Sequence, residues 1–285
     1  MESVGDLKES STVALIYRTN AQSRALEEAC VAQNLRYLVR GNAGSFYSRA
    51  EIKDCLCFLR WLYNGDDQSA MLRAFKTPSK GLGAASVKEF LHYCDEVKYT
   101  WKENGSSKTV PNPLEILIFL SESKEGFHNQ LLPTLGIISK RTLNRLSPFS
   151  SQMRLLQQKA QLNTVSGLLS SIIDIFELRE HFDSISKTTG EFEDRWSNVM
   201  ELCNAADRYS NDGPSLLEKE DGFSGSPLGN FIDDVTMLTE RVESEDIKDS
   251  DKRPLTNLMT IHAAKGLEFD AVFIVGNEEG VYRFT

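Results

Sequence analysis

Five residues able to do chemistry fall within nine positions, Thr260, His262, Lys265, Gly266 and Glu268, in the stretch TIHAAKGLEFDAVFIVG. Lys265 is a flexible positive point charge suited to phosphate, and Gly266 permits close backbone approach to a ligand. The flanking residues say where this group belongs. Leu255–Ile261 is extended and half-apolar, and Ala271–Val275 is a continuous apolar run. A strand apolar on both faces belongs in the middle of a parallel sheet, so the stretch reads as strand, tight turn, short helix, strand. All five residues then lie near the carboxyl end of the first strand, where open parallel sheets bind ligands. The plain alternative is a surface connection whose polar residues only solvate it. Spacing alone leaves both open.

Two other groups have anion-binding character. Val13–Tyr17 is a second fully apolar short run, and Thr19 with Gln22 fits a capping box that starts a helix to about Gln33. Arg18, Asn20 and Arg24 thus crowd a strand's carboxyl end and a helix N-terminus, a place that favours anions. Solvated surface arginines are the competing reading. Further on, Lys80, Gly81 and Gly83 precede a helix running to about Val97. A Gly-x-Gly turn there can present amides to a phosphate, or can simply join two helices. Leu35–Val39 reads as a third strand. Ser48 with Glu51 repeats the capping-box signature ahead of a helix burying Ile52, Cys55, Leu56, Leu59 and Leu62. Its other face, with Arg49, Lys53 and Arg60, reads as a solvated charged face.

The chain has 285 residues, 40% hydrophobic and 26% charged, which is ordinary for a soluble protein of about two domains. The start, MESVGDLKESS, lacks the apolar core of a secretory signal, and no run is long enough to span a bilayer. Five cysteines lie inside helical patterns, which suits reduced thiols in an intracellular protein. A net charge of −9 argues against indiscriminate nucleic-acid binding, so such contact needs a local basic face. From Asp66 helical periodicity takes over for about 180 residues, ending in an acidic linker at Glu243–Asp251. The predicted fold is therefore α/β: a partial parallel-sheet domain over 1–50 and 251–285, interrupted by an all-helical insertion over 51–250.

Other chemistries are missing. There is no Gly-x-x-x-x-Gly-Lys-[Ser/Thr] loop, no acidic pair after an apolar strand for magnesium, no Gly-x-Ser-x-Gly and no His-Glu-x-x-His. His92, His128 and His181 have no clustered partners.

Two stretches resemble a known family. Ile16-Tyr17-Arg18-Thr19-Asn20-Ala21-Gln22-Ser23-Arg24, with Glu27, resembles motif IV of the UvrD/Rep/PcrA helicases of superfamily 1, and Thr260 through Phe269 resembles their motif V almost letter for letter. Phe46 through Asp54 is similar to the family's FY-x-R-x-EIKD segment, Thr77-Pro78 through Gly83 to its proline-and-glycine turn, and Gly276 through Gly280 to the segment after motif V. The resemblance implies that the sheet segments belong to the second RecA-like motor domain and the middle to its inserted helical subdomain. It implies an ATP-dependent, DNA-stimulated motor that moves 3′ to 5′ on single strands and separates duplexes in DNA repair or replication. Thr260, His262 and Lys265 would lie along the DNA backbone, with Asn20 and Arg24 near DNA. Arg18 and Asn20 would lie near DNA or at the cleft between motor domains. Lys80, Gly81 and Gly83 would meet duplex phosphates. Glu268 would reach the ribose of ATP, with Gly266 and Arg18 on the nucleotide side.

Departures from the pattern carry expectations of their own. The first motor domain, with the phosphate loop and magnesium-binding acids, would precede Met1, and the arginine-finger motif would follow residue 285. The expected Gly-Gly is loosened to Gly41-Asn42-Ala43-Gly44, and Val281 through Thr285 replaces a Phe-Pro-His. ATP and magnesium would thus be bound mostly by the missing motor domain, no site is complete here, and the chain is expected to hydrolyse no ATP alone. A non-enzymatic module binding DNA or a repair protein is the rival reading, and a truncation that aggregates through open strand edges is a third. No membrane partner is expected; the location would be intracellular, a nucleus for a eukaryotic source or cytoplasm for a bacterial one.

Overall fold

The computed structural model describes residues 12–41, 44–78, 82–103, 110–120, 138–161, 164–209, 226–244 and 255–276. Lys80, Gly81 and the segment 277–285 lie outside them. The described residues fall into two compact units, one drawn from Met1–Lys53 with Ser186–Thr285, the other from Asp54–Ile185.

The first unit is α/β, built on a four-stranded parallel sheet. Its strands are β1 (Thr12–Tyr17), β2 (Arg36–Val39), β3 (Leu255–Thr260) and β4 (Ala271–Ile274), in the order β2-β3-β1-β4. The strand entering from the far end of the chain is inserted between the first two, with Tyr17 opposite Thr260 and Val39 opposite Leu258. Helix α1 (Ser23–Ala32) follows a 3-10 turn at Asn20–Gln22 and packs on β2 and β3. The predicted capping role of Gln22 is present: its Oε1 accepts from the amides of Arg18 and Thr19, 3.0 Å each.

The sequence reading differs from the structure at three places in this unit. β4 is not central but ends the described sheet, with Val272 50%, Phe273 42% and Ile274 58% exposed. Its apolar run is therefore only about half covered by the described residues. Residues 261–266 form successive turns, not a helix. Helix α2 (Ala50–Tyr63) is entered through Arg49, whose carbonyl accepts from Lys53 at 2.9 Å. Ser48 is thus not its cap, and the Glu51 carboxylate is used elsewhere.

The second unit is helical: the rest of α2, then α3 (Gln68–Ala74), α4 (Ala84–Glu103), α5 (Pro113–Phe119), α6 (Lys140–Ala160), α7 (Val165–Ile175) and α8 (Leu178–Ile185). Its core is an aromatic cluster in which Phe58 stacks on Phe176 at 4.1 Å, while Trp61 meets Phe75 edge-on at 5.5 Å. Asp54, the last residue of the EIKD segment, ties this core to the turn before α4. Its Oδ1 accepts from Arg73 at 2.7 Å and from Thr77 Oγ1 at 3.2 Å. Asp54→Ala is expected to lower the stability of the unit by about 1–2 kcal/mol, since a charge-assisted pair is lost and Arg73 is only partly solvated. A urea titration followed by helical circular dichroism measures it; an unchanged midpoint would refute the tether.

Helices α9 (Thr189–Ala206) and α10 (Pro227–Ser244) fold with the sheet unit, not with the other helices. Periodicity marks them as helical but carries no information on which core they join.

Candidate nucleic-acid interface

Parallel pairing turns the carboxyl ends of all four strands to one edge. Ile261 N–H donates to the Tyr17 carbonyl at 2.9 Å, Arg40 N–H to Leu258 at 2.8 Å and Val275 N–H to Ile16 at 2.9 Å. The loop beginning at Arg18 therefore lies beside the one beginning at Ile261. Two glycines show how closely these loops meet. A Cβ on Gly276, at φ +67, would come within 2.3 Å of Gln22 Nε2, so a side chain there would displace the Gln22 amide. A Cβ on Gly41 would touch that of Ala263 at 3.6 Å.

Thr260 closes the β3 turn. Its hydroxyl accepts from Ala263 N–H at 3.3 Å and its carbonyl from Ala264 N–H at 3.0 Å. The hydroxyl is thus engaged in shaping the turn that presents His262 and Lys265, which are both exposed. Gly266 takes φ +82, a conformation costly for other residues. Arg18 is exposed and Asn20 half-buried on the neighbouring loop. This edge brings Arg18, Asn20, Thr260, His262, Lys265 and Gly266 together.

Glu268 is set apart from them. Two residues later Asp270 accepts from Thr12 N–H at 2.7 Å and from its hydroxyl at 2.9 Å, at the amino end of β1. The chain has crossed the sheet between Gly266 and Asp270, so exposed Glu268 lies on the way to the opposite edge. Sequence proximity had grouped it with Lys265. Those bonds from Thr12 hold the Asp270 carboxyl below the usual carboxylate range.

Arg24, expected near DNA, is buried at 8% exposure. Its guanidinium meets Glu28 at 2.7 Å and Glu201 of α9 at 2.6 Å. Arg208 reaches the same Glu28 at 2.6 Å, and the Tyr47 hydroxyl donates to it at 2.7 Å. Its charge is consumed inside the unit, and α1 offers it no path to a ligand. Gly83 is exposed at the entry to α4, accepting from Val87 N–H at 3.1 Å, with open space where a side chain would be.

A second buried cluster supports the Arg18–Gln22 loop. Arg49 is buried, contrary to the solvated face expected of it, and donates to the Asn20 carbonyl at 2.8 Å, Ser23 Oγ at 2.8 Å and Asn198 Oδ1 at 2.9 Å. Asn198 donates in turn to Glu51 at 2.7 Å. Glu27, 1% exposed, accepts from Ser23 at 2.8 Å, from Phe46 N–H at 2.9 Å and from Ser45. Burial pushes its carboxyl up, against those hydrogen bonds and the Arg49 charge. Burial, with Glu27 adding to it, pushes the Tyr17 phenol up to about 12. Ser23–Glu27 and Arg24–Glu28 are readable as i,i+4 pairs, whereas Asn198, Glu201 and Arg208 carry no such signal.

A family model described as the UvrD-like helicase C-terminal domain matches residues 1–282. The chain belongs to that family. Among similar UvrD-like proteins, it is 29% identical to the ATP-dependent DNA helicase PcrA of Bacillus subtilis over 274 residues, 95% of this chain and 32% of that protein. PcrA of Staphylococcus epidermidis is likewise 29% identical over 275 residues, and that of Staphylococcus aureus 28% over 275, each covering 96% of this chain and 32% of the relative. The chain thus spans about a third of the length of these UvrD-like relatives. With the α/β sheet and its helices, it is a partial RecA-like domain carrying a helical insertion.

Proposed function

We propose that this chain is the C-terminal portion of an ATP-dependent DNA helicase, moving 3′ to 5′ on single strands and unwinding duplexes in repair or replication. Residues 1–50 and 251–285 form its share of the second motor domain, and 51–250 the inserted subdomain, whose α9 and α10 fold back on the motor share. The observation that carries this is the pairing of Tyr17 with Thr260, which sets Arg18 and Asn20 beside His262 and Lys265 on one sheet edge. In this reading the exposed cations take successive phosphates of a single strand, and the Thr260 turn fixes the spacing between His262 and Lys265. Gly81 and Gly83, with Lys80, offer amides and charge to duplex phosphates. The place of work is intracellular; among the described residues no helix is long and apolar enough to cross a membrane.

The residues present fit part of a nucleotide. The exposed Arg18 guanidinium suits a phosphate, and the exposed Glu268 carboxylate, set apart from it along the sheet, suits a ribose hydroxyl. They do not fit magnesium, for no group of three His, Cys, Asp or Glu among the described residues could hold a metal ion. We place the binding of magnesium and the triphosphate mainly in a first motor domain of the longer protein, where they supply the energy of movement.

The test is DNA-stimulated ATP hydrolysis, by the chain alone and with a family N-terminal motor domain joined to it. The expected result is silence alone and turnover when joined. His262→Ala or Glu268→Ala then lowers that turnover about tenfold or more, as for a lost hydrogen bond to a charged group. Turnover by the chain alone, abolished by His262→Ala, would overturn the division of labour. Silence in both, with single-strand binding intact, would make this a binding module.

A further inference from the structure

We propose that Arg49, locked in place by Asn198 of α9, is a positioning residue: it holds the Asn20 carbonyl and thereby aims Arg18. The inference rests on the reading of the Arg18–Gln22 loop as ligand-facing, and adds to it residues buried behind the site.

This loop must leave β1, expose Arg18 and enter α1 within a few residues. Backbone bonding fixes only part of it. Gln22 N–H donates to the Thr19 carbonyl at 3.1 Å, and Ser23 N–H to that of Asn20. At the front, Gln22 Oε1 gathers the Arg18 and Thr19 amides. From behind, the loop is held by a side chain from beyond β2. Arg49 Nη1 donates to the Asn20 carbonyl at 2.8 Å and to Asn198 Oδ1 at 2.9 Å, while Nη2 donates to Ser23 Oγ at 2.8 Å. One planar fork thus joins the loop, the start of α1 and α9, which a point charge could not do.

Asn198 can serve as an anchor because its own amide is fixed. Its Nδ2 donates to Glu51 Oε1 at 2.7 Å, which leaves Oδ1 for Arg49. Arg195 steadies Glu51 at 3.5 Å, and one turn further along α9 Glu201 meets Arg24 at 2.6 Å. Arg49, Asn198 and Glu51 are all buried. Core packing alone gives no reason for this arrangement. A buried guanidinium gives up its hydration, and an apolar side chain of like volume often stabilises a core at least as well. The Arg49 Nε is buried with no hydrogen-bond partner among the described residues, and the group lies 5.2 Å over the Phe46 ring. Its fork is thus aimed at the loop and α9 without full satisfaction of its donors. A side chain whose bonds end on a loop carbonyl near an exposed cation sets position. Ligand-binding groups need such support to stay within about 0.5 Å of their working place.

The experiment takes two measurements on the same variants. Arg49→Lys keeps a positive charge beside Glu27 but loses the fork, and Asn198→Ala keeps Arg49 but removes its anchor. In the 285-residue chain, amide hydrogen exchange at Arg18, Thr19 and Gln22 is expected to quicken about tenfold in either variant, the effect of one hydrogen bond to a charged group. Leu258 and Met259 in β3 are expected to keep their rates. In the chain joined to a family N-terminal motor domain, Arg49→Lys is expected to lower DNA-stimulated turnover about tenfold. Arg18→Ala/Arg49→Lys then turns over no more slowly than Arg18→Ala, because Arg49 acts through Arg18. Unchanged exchange denies the tie, and exchange that quickens equally in loop and β3 makes it packing alone; either overturns the proposal. Losses in turnover that add in full overturn it as well. If Arg49→Lys loses helical signal, Asn198→Ala carries both measurements, including the pair with Arg18→Ala. Normal turnover by Arg18→Ala, with the loop loosened as expected in the Arg49 variant, overturns the reading of Arg18 as ligand-facing and leaves the tie standing.

Discussion

Arg24→Leu is expected to lower the stability of the sheet unit by about 3 kcal/mol and to leave the salt dependence of single-strand binding unchanged. The Arg24 side chain is 10% exposed and that of Glu28 6%, so the pair is shielded from solvent. Glu28 also receives Arg208 and Tyr47, while Glu201 belongs to α9, so removing Arg24 leaves carboxylates partly uncompensated and unties α1 from α9. Breaking a buried pair from one side costs much more than the pair itself contributes, because the remaining charge cannot be rehydrated. Thermal or urea unfolding gives the first quantity, and a salt titration of single-strand affinity the second. A salt slope shallower by about 1, with stability intact, would return Arg24 to the DNA.

The second large effect concerns Glu27. Glu27→Ala leaves the Phe46 amide and two serine hydroxyls without their acceptor and removes the nearest negative charge from Arg49, a loss expected at about 3 kcal/mol. Glu27→Gln is expected to keep most of that stability, its carbonyl accepting from Ser23 and Phe46 and its amide turning to Ser45. The two also differ with pH. Burial raises the folded-state pKa of Glu27 above its ordinary value of 4.5, so the folded form binds the proton more tightly than the unfolded one. Its contribution is fully present below that ordinary value and is lost as pH rises through the raised one. Wild type minus Glu27→Gln stability is therefore expected to fall from acid toward neutral pH. A difference that is flat, or that rises with pH, would show the carboxyl is not held up by burial.

Both clusters mark the limit of what local pattern conveys. Residues 12–32 were legible because an apolar run, a capping Gln22 and a helical period act over a few residues and do not depend on the rest of the chain. The same holds for the extended, half-apolar stretch at 255–260 and for the α/β class. Arg18, Asn20, His262 and Lys265 stand out as candidates because phosphate-suited types recur at strand ends, and the motif resemblance points to the same positions. Arg24 and Arg49 share those types and are buried. An arginine's chemistry is the same in both settings; what differs is whether a carboxylate such as Glu201, or an amide such as Asn198, has been folded against it.

By itself, then, the amino-acid sequence determined the family, the parallel α/β class, the helical middle and the edge at which the candidate residues gather. Only the tertiary structure decided that β3 enters between β2 and β1, and that β4 lies outermost with its apolar side chains exposed. It also decided that α9 and α10 join the sheet unit, that the chain leaves the Lys265 edge before Glu268, and which arginines remain outside. Strand order and side-chain pairing depend on contacts between residues up to 258 positions apart, as for Thr12 with Asp270. Such contacts leave no periodicity in the chain, since only folding brings the partners within reach.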